Sequence, residues 1–484
     1  MKIEFLPSAE FRKRAIHRKL PSWRPSTNSV VLTFTHPRAR RGGAYPCELL
    51  CGIGPRVDGP PCWSDSGGLA DALKECSQEV SGVQALFRMG QRQSNINFHL
   101  ETSDGRRRTA TLVIPSALPP PVVGRALVVM LHGAGGSTAN VLASTHWERL
   151  AERENFVVVC PNGTPCDESK SESFFRNPQT WNDGKGFSMS SGDRSAEAKG
   201  VDDVGFLAAL ILRVSTLTAI DPRQVFIAGH SNGAVMASRF GASRPDLVAA
   251  VGVMAGPNFF AGSESFSSPV ALISISGEKD PIVPLAGGLA GPRRQQFETL
   301  SQRQNAEGWA RANGLPAGTT MMRDDKDVAV ERWGPSDEGL EVRWIVVKNH
   351  GHAWAGGESR LPGFLIGPAS DALDATVTMW EFFKAHPKPP TWSTTHQQAL
   401  AIMTRAVTAD EGGHYEAALE LYQAGAELML GAIKGAPEAR TPEMRERATQ
   451  CLDRAERIKQ EHELRRAAPR FGSPFPYADG CERC

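Results

Sequence analysis

The chain of 484 residues is long enough for two or more domains and at least one large core. Its 40% hydrophobic and 22% charged residues are those of an ordinary globular protein, and a formal net charge of +1 argues against nucleic-acid affinity for the whole chain. No apolar run approaches the roughly 18 residues needed to span a bilayer, and no continuous apolar stretch at the start marks a secretory signal.

Residues 1–92 read as a poorly ordered basic region dominated by Gly, Pro and Arg. From Phe11 to Cys47 there is no acidic residue, while Arg12, Lys13, Arg14, Arg18, Lys19, Arg24, Arg38, Arg40 and Arg41 are all basic. That composition fits a disordered basic arm, an organelle transit peptide or a segment that docks on anionic lipid; Glu4 and Glu10 count against transit. One stretch, Leu69 to Phe87, has helical character. Cys47, Cys51, Cys62 and Cys76 lack paired CxxC spacing and have no histidine between them, which favours plain reduced thiols over a zinc site or disulfides.

Ordered structure is expected from about residue 93 to 386. Phe98 to Thr102 and Thr109 to Ile114 form a β-hairpin about Asp104-Gly105. Ala126 to Leu131 is a continuous apolar run suited to a buried parallel strand. A helix over Val141 to Arg153 and a strand over Phe156 to Cys160 follow. Cys166 to Gly200 is a long polar excursion of the kind that shapes a site. Val201 to Leu217 is a helix, with Asp202 and Asp203 in its first turn favouring the helix dipole. Strands are expected at Val225-Ala228, Ala249-Met254, Val270-Ser276 and Val342-Val347, with helices between them and a last helix from Asp371 to Ala385. Alternating β and α elements with buried strands give an α/β fold built on a mostly parallel sheet with flanking helices. Residues 387–395 contain three prolines and read as a linker. Residues 396–466 then form a small three-helix bundle, from Gln398 to Ala409, His414 to Lys434 and Pro442 to Leu464. In its second helix Leu419, Tyr422, Ala426 and Leu430 mark an apolar face. Residues 467–484 read as a flexible tail.

The chemistry centres on Gly229-His230-Ser231-Asn232-Gly233, set between a strand and a helix. Strand, G-x-S-x-G, helix is the context of a nucleophile elbow, in which the glycines permit a tight turn that exposes the serine hydroxyl. Such a hydroxyl needs a base to take its proton and a carboxylate to orient that base. Asp280 and His352 each follow the end of a strand, in the order Ser, acid, His. Glu278 and His350 are their nearest rivals. His132 and His230 read as structural. The loop Leu131-His132-Gly133-Ala134-Gly135-Gly136 brings backbone close to a substrate, so the oxyanion donors are the N–H of Ala134 or Gly133 and that of Asn232. No His/Cys/Glu cluster has ligand spacing, so no metal is expected, and this chemistry needs no cofactor.

Residues of about 97 to 386 resemble the polyhydroxybutyrate depolymerase and feruloyl/acetylxylan esterase group of α/β-hydrolases. The resemblance rests on Leu131 to Ser137, Trp181 to Gly184, Val201 to Leu207, Asp221 to Ala237 and Gly351 to Gly357. It implies an ester hydrolase with its serine, aspartate and histidine at Ser231, Asp280 and His352. That family usually has proline where this chain has Ala355. Asp410 to Leu430 and Cys451 to Lys459 resemble a MIT domain. That implies a helix-in-groove site for ESCRT-III-type tails at Leu452 and Asp453, and a eukaryotic, cytoplasmic, endosome-associated setting. The expected function is therefore a serine carboxylic-ester hydrolase, acting on a small-molecule or polymeric ester and joined to a peptide-binding adaptor. Two alternatives stand beside it: a prolyl-oligopeptidase-like peptidase, and an inert hydrolase-fold scaffold acting through the bundle.

Overall fold

A computed structural model describes residues 94–184, 195–256, 265–291, 297–337, 339–359 and 361–467, together with three short strands, Lys2–Phe5, Ser29–Thr33 and Glu48–Gly52. Those three strands form an antiparallel sheet in a region where the sequence predicts little order. The helix expected over Leu69 to Phe87 lies outside the described residues, as does the tail beyond residue 467. The side chains of the four N-terminal cysteines lie outside them too. The chain divides into two compact units, one ending at Pro389 and the other beginning at Pro390.

The first unit is built on a ten-stranded sheet. Its strands are β1 (Ser94–Glu101), β2 (Arg107–Ile114), β3 (Arg125–Leu131), β4 (Val157–Pro161), β5 (Ile220–His230), β6 (Ala250–Met254), β7 (Ala271–Gly277), β8 (Thr320–Asp324), β9 (Val328–Trp333) and β10 (Val342–Val347). They lie in the order β8-β9-β10-β7-β6-β5-β3-β4-β2-β1. The six central strands from β10 to β4 are parallel, while β1, β2, β8 and β9 are antiparallel to their neighbours. The predicted hairpin is present as β1 and β2, and Gly105 turns it at φ 79°.

Side chains alternate across the strands, so the sheet has two apolar faces. Leu127, Val129, Val225, Ile227 and Val251 pack on one side with helices α3 (Asp203–Leu217), α4 (Asn232–Ser243) and α5 (Gln302–Ala312). Val128, Met130, Phe226, Ala250 and Ile273 face the other side. There they meet α1 (Thr138–Thr145), α2 (Trp147–Glu154) and α7 (Ala375–Ala385). α6 is a single turn, Gly363–Ile366. Each fully buried Val, Leu or Ile contributes roughly 1.5–3 kcal/mol. Burial on both faces explains why the central strands are largely apolar.

Two local expectations need correction, the single helix after β3 and the length of the linker. The helix expected over Val141 to Arg153 is two helices, α1 and α2, broken at His146, which sits at φ 58°. Asp202 is the N-cap of α3, its side chain accepting from the Gly205 N–H at 2.8 Å. Asp203 stands in the first turn as expected, and is in addition buried and ion-paired with Arg108. The expected linker is also shorter than its prolines suggest. Lys388 is buried, and its N–H donates to the Arg223 carbonyl at 2.9 Å. Its ammonium donates to the carbonyls of Pro245, at 2.6 Å, and Asp246, and burial pulls its pKa down to about 8.

The second unit holds three helices, α8 (Trp392–Glu411), α9 (Tyr415–Ile433) and α10 (Thr441–Ala467). In α10 the buried residues Met444, Ala448, Cys451, Ala455 and Ile458 alternate spacings of four and three, a seam matched to another helix. In α9 the buried stripe is Ala418, Leu421, Tyr422, Gly425, Ala426, Met429 and Ala432. This corrects the predicted face: Tyr422 and Ala426 belong to it, Leu419 is half-buried, and Leu430 is exposed. Arg454 of α10 makes a bidentate pair with Asp410 of α8 at 2.7 and 2.8 Å, and holds that carboxyl below the usual range. Among the described residues no helix is long and apolar enough to cross a membrane.

Candidate active site

The sheet has a topological switch point between β3 and β5, because the chain leaves β3 toward β4 and then crosses to β5 on its other side. Open α/β sheets bind ligands beyond the carboxyl ends of strands at such a point. The His132 to Gly136 loop follows β3 and Ser231 follows β5, so the two neighbouring strands deliver them side by side.

Ser231 has φ 53° and ψ −123°, a region that a residue with a Cβ rarely adopts. Close packing holds it there. A Cβ on Gly229 would lie 2.1 Å from the Gly233 carbonyl oxygen, and one on Gly233 would lie 2.4 Å from that of His132. Only glycine fits either position, which is the physical content of G-x-S-x-G in this chain. Ser231 N–H donates to the Met254 carbonyl at 3.0 Å, tying the turn to β6. Strained backbone of this kind costs on the order of 1–3 kcal/mol and persists where the surroundings over-determine it.

Ser231, His352 and Asp280 come together. Ser231 Oγ lies 2.9 Å from His352 Nε2, and His352 Nδ1 lies 2.7 Å from Asp280 Oδ2. Asp280 Oδ1 accepts from the N–H groups of Ile282, at 2.8 Å, and Val283, at 2.9 Å, so the carboxylate is held at both oxygens. Asp280 and His352 are buried, while Ser231 is partly exposed. A carboxylate at Nδ1 favours the tautomer with its proton there, leaving Nε2 free to accept from the serine.

The rivals are engaged elsewhere. Glu278 is exposed and accepts from the Asn349 N–H at 3.0 Å. His350 Nδ1 accepts from the Ser370 N–H at 3.0 Å, so Nε2 carries the proton and donates to the Ala353 carbonyl at 2.9 Å. Burial lowers the pKa of His350. His132 is likewise fixed: Gly163 N–H donates to Nε2 at 2.9 Å, and Nδ1 donates to the Gly133 carbonyl at 2.7 Å. His230 Nε2 donates to the His352 carbonyl at 2.7 Å.

A Cβ on Gly133 would lie 3.2 Å from Ser231 Cβ, so the His132 to Gly136 loop abuts the serine. Asn232 opens α4, with its N–H in the first turn of that helix. Sequence reasoning missed the groups behind this wall. Asn232 is fully buried, and its Oδ1 accepts from the Trp181 N–H at 2.8 Å while its Nδ2 donates to Asp183 Oδ2 at 2.6 Å. Asn182 N–H donates to Asp203 Oδ2 at 2.7 Å, and Asp203 Oδ1 accepts from Arg108 at 2.7 Å. The motifs Trp181 to Gly184 and Val201 to Leu207 are thus one structural unit. The sequence marks both motifs through the family resemblance, but nothing in it says that they pair with each other in a buried segment.

Residues 117–303 match the phospholipase/carboxylesterase family model, and residues 396–460 match that of the MIT (microtubule interacting and transport) domain. The large unit has an α/β-hydrolase fold. The chain is 25% identical over 299 residues to a protein named as an esterase, NocK of Nocardia uniformis subsp. tsuyamanensis, covering 57% of this chain and 79% of that one. It is 31% identical over 166 residues to the poly(3-hydroxybutyrate) depolymerase of Ralstonia pickettii, covering 32% of this chain and 30% of that one. Among solved structures, the acetyl xylan esterase from Aspergillus awamori aligns with 61% of this chain and all of its own, at 15% identity and a TM-score of 0.40.

The buried histidines of this unit make its stability pH-dependent. Burial pulls the pKa of His132 from 6.5 down to about 4. Between those values the unfolded chain binds a proton that the folded chain refuses, so stability rises with pH there. Stability is therefore expected to be fully present above pH 6.5 and to fall toward pH 4, by about 3 kcal/mol from His132 alone. Urea unfolding at pH 7.5, 6 and 5 measures it. A midpoint that does not fall between pH 7.5 and 5 contradicts a neutral, buried His132.

Proposed function

We propose that the chain is a serine carboxylic-ester hydrolase whose nucleophile, base and orienting acid are Ser231, His352 and Asp280. The observation that carries this reading is the continuous chain of contacts, 2.9 Å from Ser231 to His352 and 2.7 Å from His352 to Asp280, at a positive-φ elbow. Ser231 Oγ attacks the ester carbonyl as His352 Nε2 takes its proton. The tetrahedral oxyanion is held by the N–H of Asn232 and that of Gly133 or Ala134. His352 returns the proton to the leaving alcohol, and the acyl group stays on Ser231. Water, deprotonated by the same nitrogen, then attacks the acyl-enzyme and releases the carboxylic acid. The resemblance to depolymerases and to feruloyl and acetylxylan esterases supports polyhydroxyalkanoate, feruloyl or acetyl esters as the substrate class. A fluorophosphonate probe is expected to label Ser231 of the native chain, read by peptide mass spectrometry. Native protein left unlabelled would favour the inert-scaffold reading.

A second reading concerns the bundle. Leu452 is 44% exposed beside the buried seam residue Cys451, and Asp453 next to it is also exposed. A solvent-facing leucine on a helix that matches the MIT model supports a groove for helical tails of ESCRT-III type, and with it a cytoplasmic, endosome-associated setting. Such a tail peptide is expected to bind the full chain with a Kd on the order of micromolar, about −8 kcal/mol. Leu452→Asp puts a charge where the peptide must exclude water, and should abolish binding with helix content unchanged. Isothermal titration showing normal binding by that variant would move the groove elsewhere.

A further inference from the structure

Two peptide groups beside Ser231 are tied to one short segment, Trp181 to Asp183. The peptide linking His132 to Gly133 carries the His132 carbonyl on one edge and the Gly133 N–H on the other. A trans peptide is planar, so fixing one edge aims the other. Trp181 Nε1 donates to that carbonyl at 2.9 Å, and the Trp181 ring packs on the His132 ring at 5.1 Å. On the other side, Asn232 supplies the N–H next to the nucleophile. Its side chain is bound by the Trp181 backbone, at 2.8 Å to the N–H and 3.4 Å to the carbonyl, and by Asp183 Oδ2 at 2.6 Å. The segment itself is immobilised. Asn182 donates to Asp203 and to the Val201 carbonyl, and Arg239 donates to both the carbonyl and the Oδ1 of Asn182. Trp181, Asn182 and Asp183 are all buried.

We infer that Trp181 and Asp183 are positioning residues for the oxyanion pocket, locking the Gly133 and Asn232 N–H groups at the separation the tetrahedral intermediate needs. This rests on the proposal that Ser231 is the nucleophile. The physical case is one of preorganisation. Donors fixed before the reaction need no rearrangement as charge develops, whereas loosened donors stabilise the substrate nearly as well but the oxyanion less. Loss of either anchor therefore acts on kcat rather than KM.

The test uses the full chain with Trp181→Phe, which keeps an aromatic ring and removes the N–H, and with Asp183→Ala and Asp183→Asn. Steady-state hydrolysis of p-nitrophenyl acetate and inhibition by an alkyl trifluoromethyl ketone, whose serine adduct carries an oxyanion, are measured together. Trp181→Phe and Asp183→Ala are expected to lower kcat roughly 10- to 100-fold, below the loss typical of deleting a donor outright, with KM within about twofold. Ketone affinity should fall by the same factor as kcat, and the acid limb of the pH–rate profile should stay in place, because His352 is untouched. Asp183→Asn still offers an oxygen to Asn232 Nδ2 and should recover to within about threefold of the parent. A rise in KM alone, full kcat in all three variants, or a fall in kcat without loss of ketone affinity overturns the inference. The parallel Ser231→Ala chain separates the two claims. If it is inactive while the positioning variants keep full rate, only the positioning role fails. If it hydrolyses the ester like the parent, the nucleophile assignment fails and takes this inference with it.

Discussion

Ser231→Ala is expected to lower ester turnover by several powers of ten while leaving the fold intact. The rate loss follows from the chemistry: without Oγ there is no acyl-enzyme, and only transition-state binding by the remaining groups is left. The small structural effect follows from the contacts. Ser231 Oγ lies against His352 Nε2, and the backbone bonds that hold the elbow run from the Ser231 N–H to Met254 and from the Ala234 and Val235 N–H groups to the Ser231 carbonyl. Alanine keeps all of these backbone bonds. It also keeps the Cβ, so the positive φ costs it no more than it costs serine. The thermal midpoint should therefore stay within a few degrees of the parent, as a change of at most about 1 kcal/mol implies. Retention of more than about a tenth of parental turnover would mean that another residue does the chemistry.

The contrast between what sequence reveals and what it hides follows the kind of interaction involved. Ala126 to Leu131 is legible as a strand because both of its faces are buried, which forces every position to be apolar. Ser231 is legible because Gly229 and Gly233 leave no room for a side chain, and such a constraint leaves a fixed spacing in the chain. Asp280 and His352 can be located because each follows a buried strand. β8 is hidden for the opposite reason. Every residue of Thr320–Asp324 is exposed, so the strand exists by backbone pairing to β9 alone and has no apolar period. The break at His146 is also silent, because no Gly or Pro marks it. Asp203 looks like any acid in a first helical turn. Its real partner is Arg108, 95 residues away, and only the folded sheet brings them to 2.7 Å. The α9 stripe is hard to place from sequence because Leu419 and Leu430 fit a helical period as well as Leu421 and Met429 do, and the larger apolar residue is not always the inner one.

Two histidines separated by one residue give the sharpest test of the base. His352→Ala is expected to abolish turnover, and His350→Ala is expected to keep most of it at a cost in stability. His352 Nε2 faces the serine, and its Nδ1 is held by Asp280, so it is the imidazole able to accept the proton and return it. His350 has its Nδ1 filled by the Ser370 N–H and its Nε2 proton given to the Ala353 carbonyl, so neither nitrogen is available to a substrate. Truncating His350 leaves one part-buried donor and one buried acceptor without partners, at up to roughly 1–3 kcal/mol each. Stability should drop by a few kcal/mol, seen as a lower urea midpoint, while the folded fraction keeps most of its turnover at 25 °C. For His352→Ala the rate should fall by several powers of ten, and the Asp280 oxygen left without its partner lowers the urea midpoint as well, so turnover and not stability separates the two variants. In the parent, kcat/KM should fall on the acid side as the base protonates, and that limb should persist in His350→Ala. If His350→Ala is instead the inactive variant and His352→Ala keeps its rate, the base is His350, and the Ser231–His352 contact plays no part in proton transfer.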